Sequence, residues 1–143
     1  MADEEKQFRK GVVVLSELKT GIKGEARVVV NDSNTAIAYG SGGVSVFATP
    51  AMIGLMEKAA LTSVEPFLEK GMTTVGTRVD VEHMAATPLN MEVTAYSELV
   101  ELEGRRMLFR VEARDQVELV GRGIHERYMV PEEKFLARAA SKK

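Results

Sequence analysis

The spacing of apolar positions changes period near residue 70. Ahead of that point the best-defined segment is Thr49-Pro50-Ala51-Met52-Ile53-Gly54-Leu55-Met56-Glu57-Lys58-Ala59-Ala60. In it Ile53, Glu57, Ala60 and Val64 fall on one face at helical spacing. Thr49 suits the N-cap, and Pro50 suits the first helical position, where an amide donor is not needed. The pattern predicts a helix from Pro50 to about Leu68, kinked or restarted at Pro66, with Ser63 capping a second short piece. Beyond Lys70-Gly71 the period falls to two. Strands are predicted over Thr74–His83, with Val75, Thr77, Val79 and Val81 on one side, and over Asn90–Leu102, with Met91, Val93 and Ala95 on one side. Two more follow, over Met107–Ala113 and Val117–Val130; in the first, Met107, Phe109, Val111 and Ala113 alternate with Leu108, Arg110 and Glu112.

The remaining segments are shorter. Residues 1–10 read as a flexible polar N-terminus, Val12-Val13-Val14-Leu15 as an apolar run of uncertain type, and Gly24 to Val30 as a strand. Asn31-Asp32-Ser33-Asn34 is a turn cluster. Tyr39-Gly40-Ser41-Gly42-Gly43 reads either as a plain loop or as a lid or ligand-contacting loop. Pro131 opens a short charged helix, Glu132 to Ala140. Strand, long helix, then four strands in succession imply an α+β fold, in which an antiparallel meander curves around the helix. Residues 11–143 are expected to form a single domain.

Composition narrows the chemistry. The chain has 143 residues, enough for a proper core. Without cysteine it can hold no disulfide, thiolate zinc site or cysteine nucleophile. Its two histidines, His83 and His125, are too far apart for a recognisable metal motif. A net charge of −2 gives no nucleic-acid footprint. No apolar run is long enough for a membrane span, and the polar start lacks the features of a secretory signal, so a cytoplasmic location is expected.

Against this background Glu57 stands out. A carboxylate pressed into apolar surroundings is costly unless paired, and its pKa tends to rise, which makes it a candidate acid, base or nucleophile. The alternative is that it sits at the stripe's edge and reaches water. His83 ends a predicted strand before a Thr-Pro turn, and reads either as structural or as a presented functional group. Thr49 is explained by capping alone.

Taken together, these positions resemble a known family. Phe47-Ala48-Thr49-Pro50-Ala51-Met52, then Glu57, then Thr73-Thr74-Val75-Gly76-Thr77, then Val81-Glu82-His83 are similar in order and spacing to the hotdog-fold thioesterases, in particular the fluoroacetyl-CoA thioesterase-like branch. The tail Gly121-Arg122-Gly123-Ile124-His125-Glu126-Arg127 fits the same branch. The resemblance implies a hotdog fold, a long central helix wrapped by a curved antiparallel sheet. It further implies hydrolysis of acyl-CoA thioesters, with Thr49, Glu57 and His83 as the reacting set and Gly76 and Arg127 as substrate contacts. No cofactor is implied beyond coenzyme A as part of substrate and product. Because no aromatic lies between Ser41 and Ser45, fluoroacetate-specific selectivity is not carried over.

The residue types suit that reaction. Glu57 can serve as base or nucleophile, His83 as proton shuttle, and the Gly76 amide as oxyanion donor. Arg127 reads as a fork on the phosphates of coenzyme A or as a surface ion pair. Thr49 and Glu57 lie about 12 Å apart along a continuous helix, too far for a direct bond. Either His83 and substrate lie between them, or the site combines residues from two subunits. The resemblance to hotdog proteins, which dimerise through this layer, implies a homodimer with active sites at its interface. The competing readings are a non-catalytic acyl-CoA-binding module and an acyl-CoA hydratase. The hydratases of this fold carry an Asp-x-Asn-Pro-x-His run, which is absent here.

Overall fold

Alternating apolar side chains and the tight turn at Gly104 bring the C-terminal strands together. In the computed structural model, which describes residues 17–143, the elements are β1 (Lys23–Val29), a one-turn α1 (Ala36–Tyr39) and the long α2 (Thr49–Val64), which runs into a 3-10 turn (Glu65–Phe67). Then come β2 (Met72–His83), β3 (Glu92–Glu103), β4 (Arg106–Asp115), β5 (Leu119–Pro131) and α3 (Glu132–Ala140). The predicted N-terminal tail and the Val12–Leu15 run lie outside the described residues. All strand pairs are antiparallel, and α2 packs against the curled sheet, which is the expected α+β arrangement.

The core is the helix against the inward positions of the sheet. Met52, Leu55, Met56, Ala59, Ala60 and Val64 of α2 meet Val93, Ala95 and Leu99 of β3 and Met107, Phe109, Val111 and Ala113 of β4. The buried stripe is therefore rotated from the expected one. Ile53 and Glu57 lie half-buried on its flank, because the paired apolar positions 52/55/56/59 bury more surface than a face containing a carboxylate. The helix ends at Val64, and Pro66 sits in the 3-10 turn that follows. Ser63 does not cap a second piece; its hydroxyl donates to the Ala60 carbonyl at 2.7 Å.

The four-strand meander is corrected to three. The sheet order is β1-β3-β4-β5-β2, so β2 pairs with β5 at the far edge and not with β3. The connection after His83 makes this possible by running across the end of the sheet. The Met84 amide donates to the Val120 carbonyl, the Phe47 amide to Thr87, and the Asn90 amide to Val30. Thr87, fully buried, ties the crossing to the end of β4 through a 2.8 Å bond to Asp115 Oδ2.

As an edge strand, β2 also departs from its expected alternation. Residues 76–80 are exposed in succession, and Val79, expected on one side with Val75, Thr77 and Val81, is 36% accessible. The cause is the missing neighbour on that edge among the described residues. Separately, a bulge between Gly76 and Arg78 places Thr77 as an extra residue opposite β5 and puts Val75 on the face opposite to Val79 and Val81. A one-residue slip exchanges the two faces of a strand. The bulge thus lets Gly76 and His83, seven positions apart, both face α2.

Three strand glycines lie where α2 comes nearest. A Cβ on Gly24 would collide with the Ala59 carbonyl, one on Gly121 with the Met52 sulfur, and one on Gly76 would lie 2.7 Å from Glu57 Oε2. At Gly24 the obstacle is helix backbone, which no rotamer change relieves. Gly24→Ala is expected to lower stability by about 1–3 kcal/mol, read as a lower urea midpoint at unchanged slope.

Candidate active site

Two polar clusters form on the α2 side of β2. The first joins Thr49 to His83. Ala48, in extended conformation and without a side-chain hydrogen bond, is the N-cap of α2, so Thr49 is the first helical residue and not the cap. Its hydroxyl is instead 2.7 Å from His83 Nδ1. The cap role that seemed to explain Thr49 completely is thereby replaced by a side-chain partner 34 residues away. Burial pushes the His83 pKa below its ordinary 6.5, opposed by a backbone hydrogen bond with Ala85. Its Nε2 is buried and has no partner among the described residues.

This pair opens on a cavity of about 310 Å³, whose wall includes Ala36, Ser41, Gly42, Phe47 and Ala85. The glycine-rich stretch is therefore a contributor to the site's wall. Its approach is the one-turn α1, capped by Thr35 Oγ1 accepting from the Ala38 amide and closed by Gly40 in the left-handed region. One turn is too short to show a helical period, which is why the sequence pattern missed it.

The second cluster surrounds Gly76. Glu57 reaches from the flank of α2 to this glycine, whose missing side chain leaves room for the carboxylate. Among the described residues, no hydrogen bond or ion pair engages that carboxylate. Arg127, opposite Gly76 on β5, is only 5% exposed. Its Nε donates to Thr74 Oγ1 at 2.8 Å, its Nη2 to the Thr74 carbonyl at 2.9 Å, and its Nη1 to His125 Nε2 at 3.1 Å. Neither an open fork on coenzyme A phosphates nor a surface ion pair fits a guanidinium so buried and so engaged.

His125 belongs to this cluster and was passed over in the sequence. It is 1% exposed and stacks on Phe109 with ring centroids 6.3 Å apart. Burial and the Arg127 charge hold its pKa down, against a hydrogen bond to the Arg78 carbonyl and the field of Glu57. The available signal was its position two residues before Arg127, which puts both side chains on one face of a strand.

The structure thus pairs Thr49 with His83 and Glu57 with Gly76, His125 and Arg127. It does not unite the two groups within one chain. Gly76 and His83 are separated by roughly 20 Å of strand, and Thr49 and Glu57 by two turns of α2. The field of Glu57 acts on His125 and Arg127, whereas burial and Ala85 govern His83.

Known proteins resemble this chain over most of its length. The family model of FlK, fluoroacetyl-CoA-specific thioesterase, matches residues 30–133. The fluoroacetyl-CoA thioesterase of Streptantibioticus cattleyicolor is 46% identical over 97 residues, which is 68% of this chain and 70% of that protein. A crystal structure of the fluoroacetyl-CoA thioesterase FlK superposes with a TM-score of 0.84 at 37% identity, covering 90% of this chain and 99% of the other. A mutant of FlK in complex with fluoroacetate and coenzyme A matches at 0.78 and 39% identity, covering 82% and 99%. A thioesterase superfamily member from Thermus thermophilus matches at 0.81 and 28% identity, covering 89% and 94%.

Proposed function

The chain belongs to the fluoroacetyl-CoA-specific thioesterase family and is an acyl-CoA thioesterase of hotdog fold, and on that premise we propose that it hydrolyses a short or small acyl-CoA in sites built jointly by two copies. The 2.7 Å contact between Thr49 and His83 at the mouth of a cavity carries the reading. A hydroxyl donating to a neutral imidazole is an activated nucleophile. In this reading Thr49 Oγ attacks the thioester carbonyl, and its proton passes to His83 Nδ1. The tetrahedral intermediate collapses, the carbon–sulfur bond breaks, and His83 returns the proton to the coenzyme A thiolate. Water, deprotonated by Glu57, then hydrolyses the threonyl ester to free acid, and the proton taken up by Glu57 returns to Thr49 through solvent. The Gly76 amide supplies an oxyanion donor, and Arg127 acts from behind the carboxylate. Water and these side chains suffice, with no cofactor beyond coenzyme A itself.

The second copy enters through β2. Among the described residues its outer edge is unpaired along exposed residues 76–80, and an open edge is a template for another strand. Two-fold antiparallel pairing of β2 with its copy about Asp80, with Thr77 as the extra residue of the bulge, sets Gly76 against the partner's His83. Glu57 then lies beside the partner's Thr49 and the partner's His83, and each dimer carries two complete sites.

The test is release of coenzyme A thiol from acetyl-, propionyl- and longer acyl-CoAs, followed with a thiol reagent. Because the chain has no cysteine, every thiol detected is product. Turnover is expected on the short substrates. No thiol from any acyl-CoA would overturn the proposal.

A further inference from the structure

We infer that His125 is a positioning residue, a neutral imidazole that ties the Arg127 guanidinium to the bulge of β2 and so fixes where Gly76 meets Glu57. The inference deepens the thioesterase reading and rests on it for its kinetic consequence, though not for its structural one.

The two contacts of His125 determine its protonation. Arginine has only donors, so the 3.1 Å contact from Arg127 Nη1 requires a bare Nε2. The Arg78 carbonyl has only lone pairs, so the 2.8 Å contact to Nδ1 requires a proton there. One proton on Nδ1 and none on Nε2 is the neutral ring in a single tautomer. A second proton would set a donor against the guanidinium.

Those contacts lie on either side of the irregularity that shapes the site. Arg127 pairs with Gly76, and the register slips before Arg78, whose carbonyl His125 holds. The His125 Cε1 atom lies between them, 3.1 Å from where a Gly76 Cβ would be. Arg127 is fastened further to Thr74 by two bonds. The extra residue Thr77 is held from outside by its hydroxyl on Glu126 Oε1 at 2.8 Å, and Glu126 in turn accepts from Arg106 Nε at 2.7 Å. The bulge is therefore clamped from both faces of the sheet. Only the inner clamp reaches the groups beside Glu57. A bulge disrupts the ladder locally, and His125 fastens the strand just beyond it by taking the Arg78 carbonyl.

Two measurements on the full-length protein test this. Nitrogen-15 NMR of the imidazole at pH 7 is expected to show His125 neutral, with Nδ1 protonated and Nε2 bare. An Nε2–H tautomer or a charged ring overturns the inference, whether or not the protein hydrolyses acyl-CoA. In parallel, His125→Phe keeps the stack on Phe109 and removes both hydrogen bonds. It is expected to lower kcat about 10²-fold, the cost of a misplaced reacting group, with KM changed less than about threefold. His125→Gln retains an acceptor and a donor and is expected to recover at least part of that loss at equal melting temperature. Unchanged kcat in the Phe variant overturns the positioning role. Equal losses in both variants that follow their melting temperatures do the same. A wild-type protein inactive on every acyl-CoA refutes the thioesterase reading while leaving the tautomer result to decide the structural claim.

Discussion

Replacing His83 with alanine is expected to lower kcat/KM about 10²–10⁴-fold, the range for losing a positioned general acid–base. In the proposed mechanism two steps depend on that ring: it takes the Thr49 proton during attack, and it returns a proton to the departing thiolate. Thr49→Ala is expected to fall in the same range, and combining the two substitutions adds little, since residues acting as one unit are not additive. Near-normal turnover in Thr49→Ala would remove the nucleophile assigned here and leave Glu57 and water to do the chemistry. The pH profile gives a second check. The active ring is neutral, and burial lowers its pKa below 6.5. The neutral form therefore persists to lower pH than in an exposed histidine. The rate should hold as pH falls through 6.5 and decline only as it passes the lowered value. An acid limb centred at or above pH 6.5 contradicts that assignment. The same displacement has a consequence for stability, for both His83 and His125. Each contributes fully above pH 6.5, and its contribution is lost as pH falls from 6.5 through the lowered folded-state value, because the unfolded chain binds the proton first.

Mixing inactive subunits is expected to restore activity. Thr49→Ala and Glu57→Gln homodimers should each be strongly impaired. In their heterodimer, one site receives both lesions and the other receives neither. Random exchange makes half the dimers mixed, each with one intact site of two, so about a quarter of wild-type activity is expected from an equal mixture of subunits in a two-fold dimer. Sites contained within single chains would give no recovery, because each would keep its own lesion. Charge changes on the β2 edge, such as Val79→Lys, give a complementary readout, since they would oppose pairing at the seam and reduce recovery.

Much of this site was legible because it depends on local spacing. Gly76, His83 and Glu57 stand at fixed distances along a strand and a helix, and their order is visible in the chain. The alternation of Met107, Phe109, Val111 and Ala113 is likewise a local property, and the buried positions of β4 follow it. What could not be read depends on partners distant in sequence. Nothing near Met72–His83 reveals that it joins β5 rather than β3, because the crossing is held by bonds to Val30, Phe47 and Val120. The bulge breaks the alternation that put Val75 and Val79 on one side. Thr49 looked like a cap because its spacing to Pro50 is correct for one, while the His83 contact that replaces that role is tertiary. His125 was read only as half of a missing metal pair, since a lone buried histidine has no periodic signature.

The glycines beneath α2 divide the molecule into parts that can and cannot adapt. At Gly24 the helix backbone lies directly on the strand, and at Gly76 and Gly121 the ends of the Glu57 and Met52 side chains fill the space a Cβ would take. The spacing between the sheet and the helix bearing Thr49 and Glu57 is thus set by close packing. By contrast, Gly40 and Gly43 have nothing within 4 Å of a Cβ position, and residues 39–45 are exposed. Adjustment to a new acyl group is therefore expected at this rim of the cavity. Divergent relatives that keep the same chemistry should differ in substrate through the length and bulk of that rim, while the helix–sheet spacing behind it stays constant.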